Sequence, residues 1–209
     1  MKFQKATKKQ SHARVALIGI SGSGKTYGAL RVANGLVPGG RIAVIDSERG
    51  SASKYSDVFA FDVLELESFA PLKYVDAIDA AAAEKYDVLI IDSLSHAWMG
   101  KDGALEQVDR RANGAGSSFN AWRDVTPMHN KLVDALLRYP GHLIVTMRAK
   151  AEYVVEQNGK GKSVPRKVGM APVQRDGLEY EFDLVVDIAG DQSAIVSKTR
   201  CTAFNGQAI

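Results

Sequence analysis

Only one cysteine, Cys201, occurs among the 209 residues. A lone thiol excludes an internal disulfide and fits a reducing compartment. Cys201 itself is expected to be a small residue of the last strand. His96 and His129 lack Cys or His partners at metal-ligand spacing, which leaves zinc unsupported. Apolar runs never exceed strand length, so no segment is expected to span a bilayer. Met1 to Arg14 has no apolar stretch of signal-peptide type, and an intracellular, cytoplasmic protein is expected. Low-complexity segments and internal repeats are also missing, and 209 residues suit one α/β core.

Acid is missing from the first fourteen residues, which carry Lys2, Lys5, Lys8, Lys9 and Arg14. Residues 1–13 are therefore expected to form a basic tail and 14–209 the folded core. Net charge is only +3, yet positions 142–175 hold seven cations against Glu152 and Glu156. Clustering of this kind suggests a polyanion partner.

What is present is most specific at residues 19–26, Gly-Ile-Ser-Gly-Ser-Gly-Lys-Thr. Gly19, Gly22 and Gly24 allow the backbone N–H groups to turn inward around a polyphosphate, with Ser21 and Ser23 completing the loop. Lys25 is placed to reach the β- and γ-phosphates, and the Thr26 hydroxyl to ligate Mg²⁺. A buried strand at 15–18 precedes this loop and a helix follows it, with apolar spacing at Leu30, Ala33 and Leu36. The helix N-terminus adds partial positive charge toward the phosphates. Nucleotide binding, with Mg²⁺ at the Thr26 hydroxyl, follows.

Short β-rich runs then alternate with helical patterns, which predicts a mostly parallel sheet flanked by helices. Strands are expected at 41–46, near 61–66, at 87–92 and at 142–147, with helices at 71–85 and 119–138. Pro127 would kink the second helix or mark a second start. Region 99–118 gives no clear expectation of order. Asn158-Gly159-Lys160-Gly161 between 153–155 and 164–168 reads as a projecting basic β-hairpin. Two last strands, near 183–188 and 194–198, make the C-terminal third antiparallel or mixed.

Asp92 ends four apolar residues, where a strand-tip carboxylate can hold the Mg²⁺ begun by Thr26. Hydrolysis further needs an acceptor for the proton of the attacking water. The slot after Asp92 holds Ser93, so Glu48, two residues beyond Asp46, is the candidate on the correct rim of the sheet.

The run Ile45-Asp46-Ser47-Glu48 with Tyr55 seven residues later resembles the RecA-type recombinase segment that carries the catalytic glutamate and a base-stacking tyrosine. Asp87 to Leu94 is similar to the metal-binding strand of that family. Residues 170–182 and 197–201 look like the short, phage-encoded RecA-like ATPases that act as single-strand annealing proteins. The resemblance covers essentially the whole chain. It implies a RecA-like P-loop core, Glu48 as water-activating base, Tyr55 as adenine stacker and Arg148 as γ-phosphate sensor. It also implies a trans-acting finger, Lys198 and Arg200, reaching the ATP of a neighbouring subunit in a ring or filament. The basic hairpin corresponds to the second DNA-binding loop, with Lys160, Lys162, Arg166 and Lys167 along single-stranded DNA. Region 99–118 corresponds to the first, with Lys101, Arg110 and Arg111. A single-strand-binding protein is a further expected partner, and a membrane is not.

Two other readings share the phosphate loop. A nucleoside or nucleotide kinase would use the hairpin as a lid and make a phosphorylated acceptor in place of inorganic phosphate. A nucleotide-gated assembly scaffold would survive loss of Glu48.

Overall fold

The computed structural model describes residues 12–115, 117–157 and 163–204. Residues 1–11 of the expected basic tail (1–13) and 158–162 of the expected hairpin lie outside the described residues.

Strand β1 (Arg14–Gly19) leads through the glycine loop into helix α1 (Lys25–Leu36). Strands β2 (Ile42–Asp46) and β3 (Asp62–Glu65) precede helix α2 (Pro71–Ala83) and strand β4 (Val88–Asp92). Short α3 (Ser95–Met99), α4 (Ala104–Ala115) and long α5 (Ser118–Arg138) follow. Strands β5 (His142–Gln157), β6 (Ser163–Pro172), β7 (Leu184–Ile188) and β8 (Ala194–Thr199) complete the chain. Sheet order is β3-β2-β4-β5-β1-β7-β8, with β6 paired to the outer half of β5. Strands β1 to β5 and β7 run parallel, while β8 is antiparallel to β7 and β6 to β5. The expected P-loop NTPase architecture is therefore present, with a mixed C-terminal third.

Both faces of the parallel sheet are covered, which explains why its strands are continuous apolar runs. Along each strand, alternate side chains go to opposite layers. Val15, Leu17, Val44, Val88 and Ile90 meet α1 at Ala29, Leu30 and Ala33. Ala16, Ile18, Ile45, Leu89 and Ile91 meet α2 and α5 at Tyr74, Ile78, Leu132 and Leu136.

The structure adds to or corrects the expectations at four places. Region 99–118 contains a helix, α4, because Ala104 and Val108 bury against Ala121 and Val125 of α5. Small residues carry that contact, and it exists only with α5 beside it. Pro127 sits inside α5 and marks no second start, because the helix runs unbroken from Ser118 to Arg138 and its buried face continues from Val125 to Leu136. Strand β5 does not stop at Met147 but runs on to Gln157 as the first arm of the hairpin, since β6 supplies its ladder partners. Cys201 is exposed and lies beyond the end of β8.

Arg14 is not a free tail cation. Its guanidinium donates to the Gly141 carbonyl at 2.7 Å, and also to the Leu137 and Tyr139 carbonyls. It thereby satisfies the C-terminal carbonyls of α5 and ties them to the start of β1. Among the described residues, no helix is long and apolar enough to cross a membrane.

Strand β4 is central, and Ile91 is fully buried within it. Ile91→Ala is expected to cost about 3 kcal/mol, read from urea midpoints at constant slope. A loss below about 1 kcal/mol would contradict this packing.

Candidate functional site

The parallel register places the functional strand tips in one line. Asp46 pairs with Asp92, and Ile91 with Val145, so Thr146 follows next in that row. Gly19 pairs with Arg148 two residues farther along. Four segments distant in sequence thus meet at the carboxyl edge of the sheet, the rim where ligands bind in open α/β folds.

In the glycine loop, Gly22 (φ 80°) and Gly24 (φ 86°) occupy the left-handed region, and open space surrounds both. Their requirement is conformational. At Gly19 it is steric, because a Cβ would lie 2.5 Å from Ser23 Oγ and 2.6 Å from the Ile188 carbonyl oxygen. Ser23 Oγ is buried with no partner among the described residues. Lys25 donates Nζ to the Ile20 carbonyl at 2.6 Å, folding over its own loop. Burial lowers its pKa, although the charges of Asp92 and Glu48 oppose that shift.

Thr26 Oγ1 donates to Asp92 Oδ2 at 2.7 Å, and Thr146 Oγ1 donates to the other oxygen, Oδ1. Burial pushes the Asp92 pKa up, and the like charges of Glu48 and Asp46 add to this, while the two threonine hydroxyls oppose it. A desolvated carboxylate among other acids, beside a hydroxyl and a phosphate loop, fits a hard divalent cation. Thr26 and Asp92 are the residues that would hold Mg²⁺.

Asp46 and Ser47 position Glu48. Buried Asp46 accepts the Glu48 N–H at 2.5 Å and the Ala52 N–H at 3.3 Å, closing the loop. Ser47 N–H donates to the Asp92 carbonyl at 2.7 Å, and Ser47 Oγ accepts the Ser93 N–H at 2.8 Å. Ser47 Oγ also lies 2.8 Å from His96 Nδ1. The Asp92–Ser93 peptide is cis. The Asp-Ser ends of β2 and β4 are thus stitched to each other.

The Glu48 carboxylate is gripped by Arg148, with Nε 3.0 Å from Oε1 and Nη2 2.6 Å from Oε2. Ser93 Oγ donates to Oε1 at 3.1 Å, and His96 Nε2 stands 3.8 Å from the same oxygen. Burial pulls the Glu48 pKa up, but the Arg148 hydrogen bonds, the His96 interaction and Ser93 outweigh it and hold the acid below its usual range. Glu48 is therefore ionised at neutral pH. Its partner Arg148, expected at the γ-phosphate, pairs with Glu48 here.

His96 stacks on Phe69 at 4.9 Å with 23° between ring planes. Burial lowers its pKa, and Arg148 lowers it further, against the pull of Glu48. Ser47, Ser93, His96 and Thr146 are site residues that sequence reasoning missed. For the serines a signal existed in the repeated Asp-Ser after two apolar strands.

Tyr55 ends a short helical turn, its ring 5.7 Å from Tyr27 of α1, edge to face. That places an aromatic pair beside the first turn of α1, just past Thr26.

Lys198 and Arg200, expected to act on a neighbour's ATP, lie away from their own glycine loop. Lys198 pairs with Val185, and Val185 with Ala16, while Arg200 N–H bonds the Asp183 carbonyl beside Arg14. Both residues thus sit toward the opposite edge of the sheet from the glycine loop. Lys198 Nζ donates to the carbonyls of Glu179, Tyr180 and Phe182 at 3.1, 2.5 and 2.7 Å. Arg200 bonds Asp183 at 3.0 Å and the Tyr180 carbonyl at 3.1 Å. Within one subunit neither approaches the phosphate loop.

The hairpin arms pair as expected, with Val154 opposite Arg166 and Tyr153 opposite Lys167. Lys160 and Lys162 fall outside the described residues, as do the side chains of Arg166 and Lys167. In the first expected loop, Arg110 is neutralised by Asp102 at 2.8 Å and Glu106 at 2.5 Å. Arg111 bonds Gln107. Trp98 of α3 and Trp122 of α5 stack at 5.6 Å against the α4–α5 cluster, whereas Phe119 is 80% exposed.

A raised folded-state pKa at Asp92 means that the folded chain holds this proton more tightly than the unfolded chain. Its contribution to stability therefore falls as pH rises from the ordinary carboxylate range through the folded value. Asp92→Asn is expected to melt higher than wild type at neutral pH in EDTA. Mg²⁺ at 100 times its Kd should stabilise wild type by about 2.7 kcal/mol and leave the variant unmoved. Equal Mg²⁺ responses in calorimetry would remove Asp92 from the metal site.

The sequence matches the family model of an AAA domain over residues 11–206. No curated protein matches it. With the glycine loop, the Thr26–Asp92 pair and the parallel sheet in place, the chain belongs to the AAA-domain family of P-loop, nucleotide-binding NTPases.

Proposed function

We propose that the chain is a Mg²⁺-dependent ATPase that binds single-stranded DNA as an oligomer and serves strand annealing or homologous recombination. The RecA-like, phage-encoded annealing proteins that its sequence resembles are the model for this reading. The observation that carries it is the position of Glu48, an ionised carboxylate on the strand tip beside Asp92, bonded to Ser93 at 3.1 Å.

Loop N–H groups and Lys25 bind the β- and γ-phosphates, and Lys25 leaves the Ile20 carbonyl to do so. Thr26 and Asp92 would hold Mg²⁺, which when bound offsets phosphate charge and aligns the oxygens for in-line attack. Glu48 accepts the proton of the attacking water, which requires Arg148 to surrender at least one carboxylate oxygen. Arg148, once released, is free to turn toward the γ-phosphate as its sensor. Tyr55 receives the adenine ring.

Chain connectivity supports coupling to DNA. Arg148 is the last β5 residue paired with β1, and Ala149 is the first paired with β6. A strand bound on the hairpin through Lys160, Lys162, Arg166 and Lys167 therefore pulls on the residue that clamps Glu48. Lys198 and Arg200, remote from their own loop, can serve only a neighbour's nucleotide, in a ring or filament. Edge strand β3 supports self-association. Val63 and Leu64 are each 42% exposed, and its outer backbone has no partner among the described residues. A single-strand-binding protein is the proposed helper.

Glu48→Gln is expected to lower phosphate release by about 10² to 10⁴ while nucleotide affinity stays within a few-fold. A phosphorylated acceptor in place of free phosphate would overturn hydrolysis and favour a kinase. Oligothymidylate affinity should fall with salt at a log–log slope of about −3, the value for four cations on a single strand. A slope near zero would remove the hairpin from DNA binding.

A further inference from the structure

Behind the Glu48–Arg148 pair lies a cavity of about 370 Å³. Its walls include Arg49, Lys101, Arg148, His96, Phe69 and Glu48. Three permanent cations face a single carboxylate there, so two positive charges have no counterpart in the lining. Among the described residues, the side chains of Arg49 and Lys101 make no hydrogen bond or ion pair.

The backbone holds this arrangement against its own preference. Arg49 has φ 56°, in the left-handed region, followed by Gly50 at φ 78°. A non-glycine residue pays for that conformation, and such positions gather at functional loops. Asp46 fixes the turn through the Glu48 and Ala52 N–H groups. Across the cavity, the Phe69 N–H bonds the Lys101 carbonyl at 3.1 Å. A Cβ on Gly100 would come within 2.7 Å of both Phe69 and the His96 carbonyl oxygen. Lys101 is thus anchored at its backbone by a packed turn while its ammonium stays free.

We propose that this cavity is a second anion site, separate from the glycine loop, that takes a phosphate group through Arg49, Lys101 and Arg148. Guanidinium forks match phosphate oxygens bidentately, and a lysine adds a point charge. The volume leaves room for the phosphate and several waters at roughly 30 Å³ each. A phosphate here competes with Glu48 for Arg148. Occupancy therefore loosens the clamp on the carboxylate, a consequence that rests on the reading of Glu48 as base. Either a single-strand phosphodiester or free inorganic phosphate carries the required chemistry.

Equilibrium dialysis of the full chain with radiolabelled inorganic phosphate tests the site, and needs neither hydrolysis nor DNA. Lys25→Ala, which disables the glycine loop, is expected to retain one bound phosphate. In that background Arg49→Ala and Lys101→Ala should each weaken phosphate binding at least tenfold. Both side chains are exposed, so the variants keep the fold, which circular dichroism checks. Glu48→Gln, by removing the competing charge, should tighten phosphate severalfold. Loss of all phosphate binding in Lys25→Ala, or affinity indifferent to Arg49 and Lys101, would overturn the site, and unchanged affinity in Glu48→Gln would overturn the competition. Displacement of the label by oligothymidylate, but not by its methylphosphonate analogue, identifies the strand as the phosphate source. Retention of the label in its presence identifies free phosphate. Failure of the ATPase reading would leave these results untouched.

Discussion

The pairing of β2 with β4 is the constraint on which the site depends. In parallel register it brings Asp46 level with Asp92, and the following serine of each strand is then bonded into the other. A slip of one residue between them would turn one of the two aspartates to the opposite face of the sheet and carry Glu48 away from Ser93. The apolar alternation that specifies this register is the same one that fills the two layers against α1 and against α2 and α5. Core packing and site geometry are therefore a single requirement. The Tyr74 hydroxyl, fully buried beneath the site, makes the link explicit by donating to the Ser93 carbonyl at 3.2 Å.

Two acids on this rim are driven apart by their partners. Asp92 is desolvated and receives only neutral hydroxyls, so its proton is held more tightly than usual. Glu48 is desolvated too, yet a guanidinium outweighs that penalty and keeps it charged. Divergence of this kind separates roles on one fold. The first acid lacks a cation and suits a metal. The second already has a cation, since Arg148 holds both of its oxygens.

The glycine loop was legible because its chemistry is local. Positive φ at Gly22 and Gly24 and crowding at Gly19 demand glycine whatever surrounds them. Asp92 was legible as the end of an apolar run. The Glu48–Arg148 pair was not, because 100 residues separate the partners and only the placement of β5 beside β4 joins them. Helix α4 escaped notice for a related reason, since its buried face is small and acquires meaning only against α5. Charged residues between Met147 and Tyr153 disguised the continuity of β5, where one strand passes from a buried parallel sheet into a two-stranded ribbon.

Cations in this chain divide by what they find within reach of their strands. Arg14 and Lys198 end on backbone carbonyls, capping α5 and the turn at 178–181, so charge in the sequence there becomes structure in the fold. For Lys198 and Arg200 to serve a neighbour's nucleotide, those carbonyls and Asp183 must be given up or shared. That exchange is favourable only when a more highly charged acceptor, such as a triphosphate, replaces neutral carbonyl oxygens. A nucleotide at a subunit contact would then do two things together. It would recruit the finger and unfasten the turn at 178–181, which directly precedes β7, the strand paired with β1 and hence with the glycine loop. Subunit assembly and nucleotide state would be linked through backbone carbonyls, with no need for a longer path.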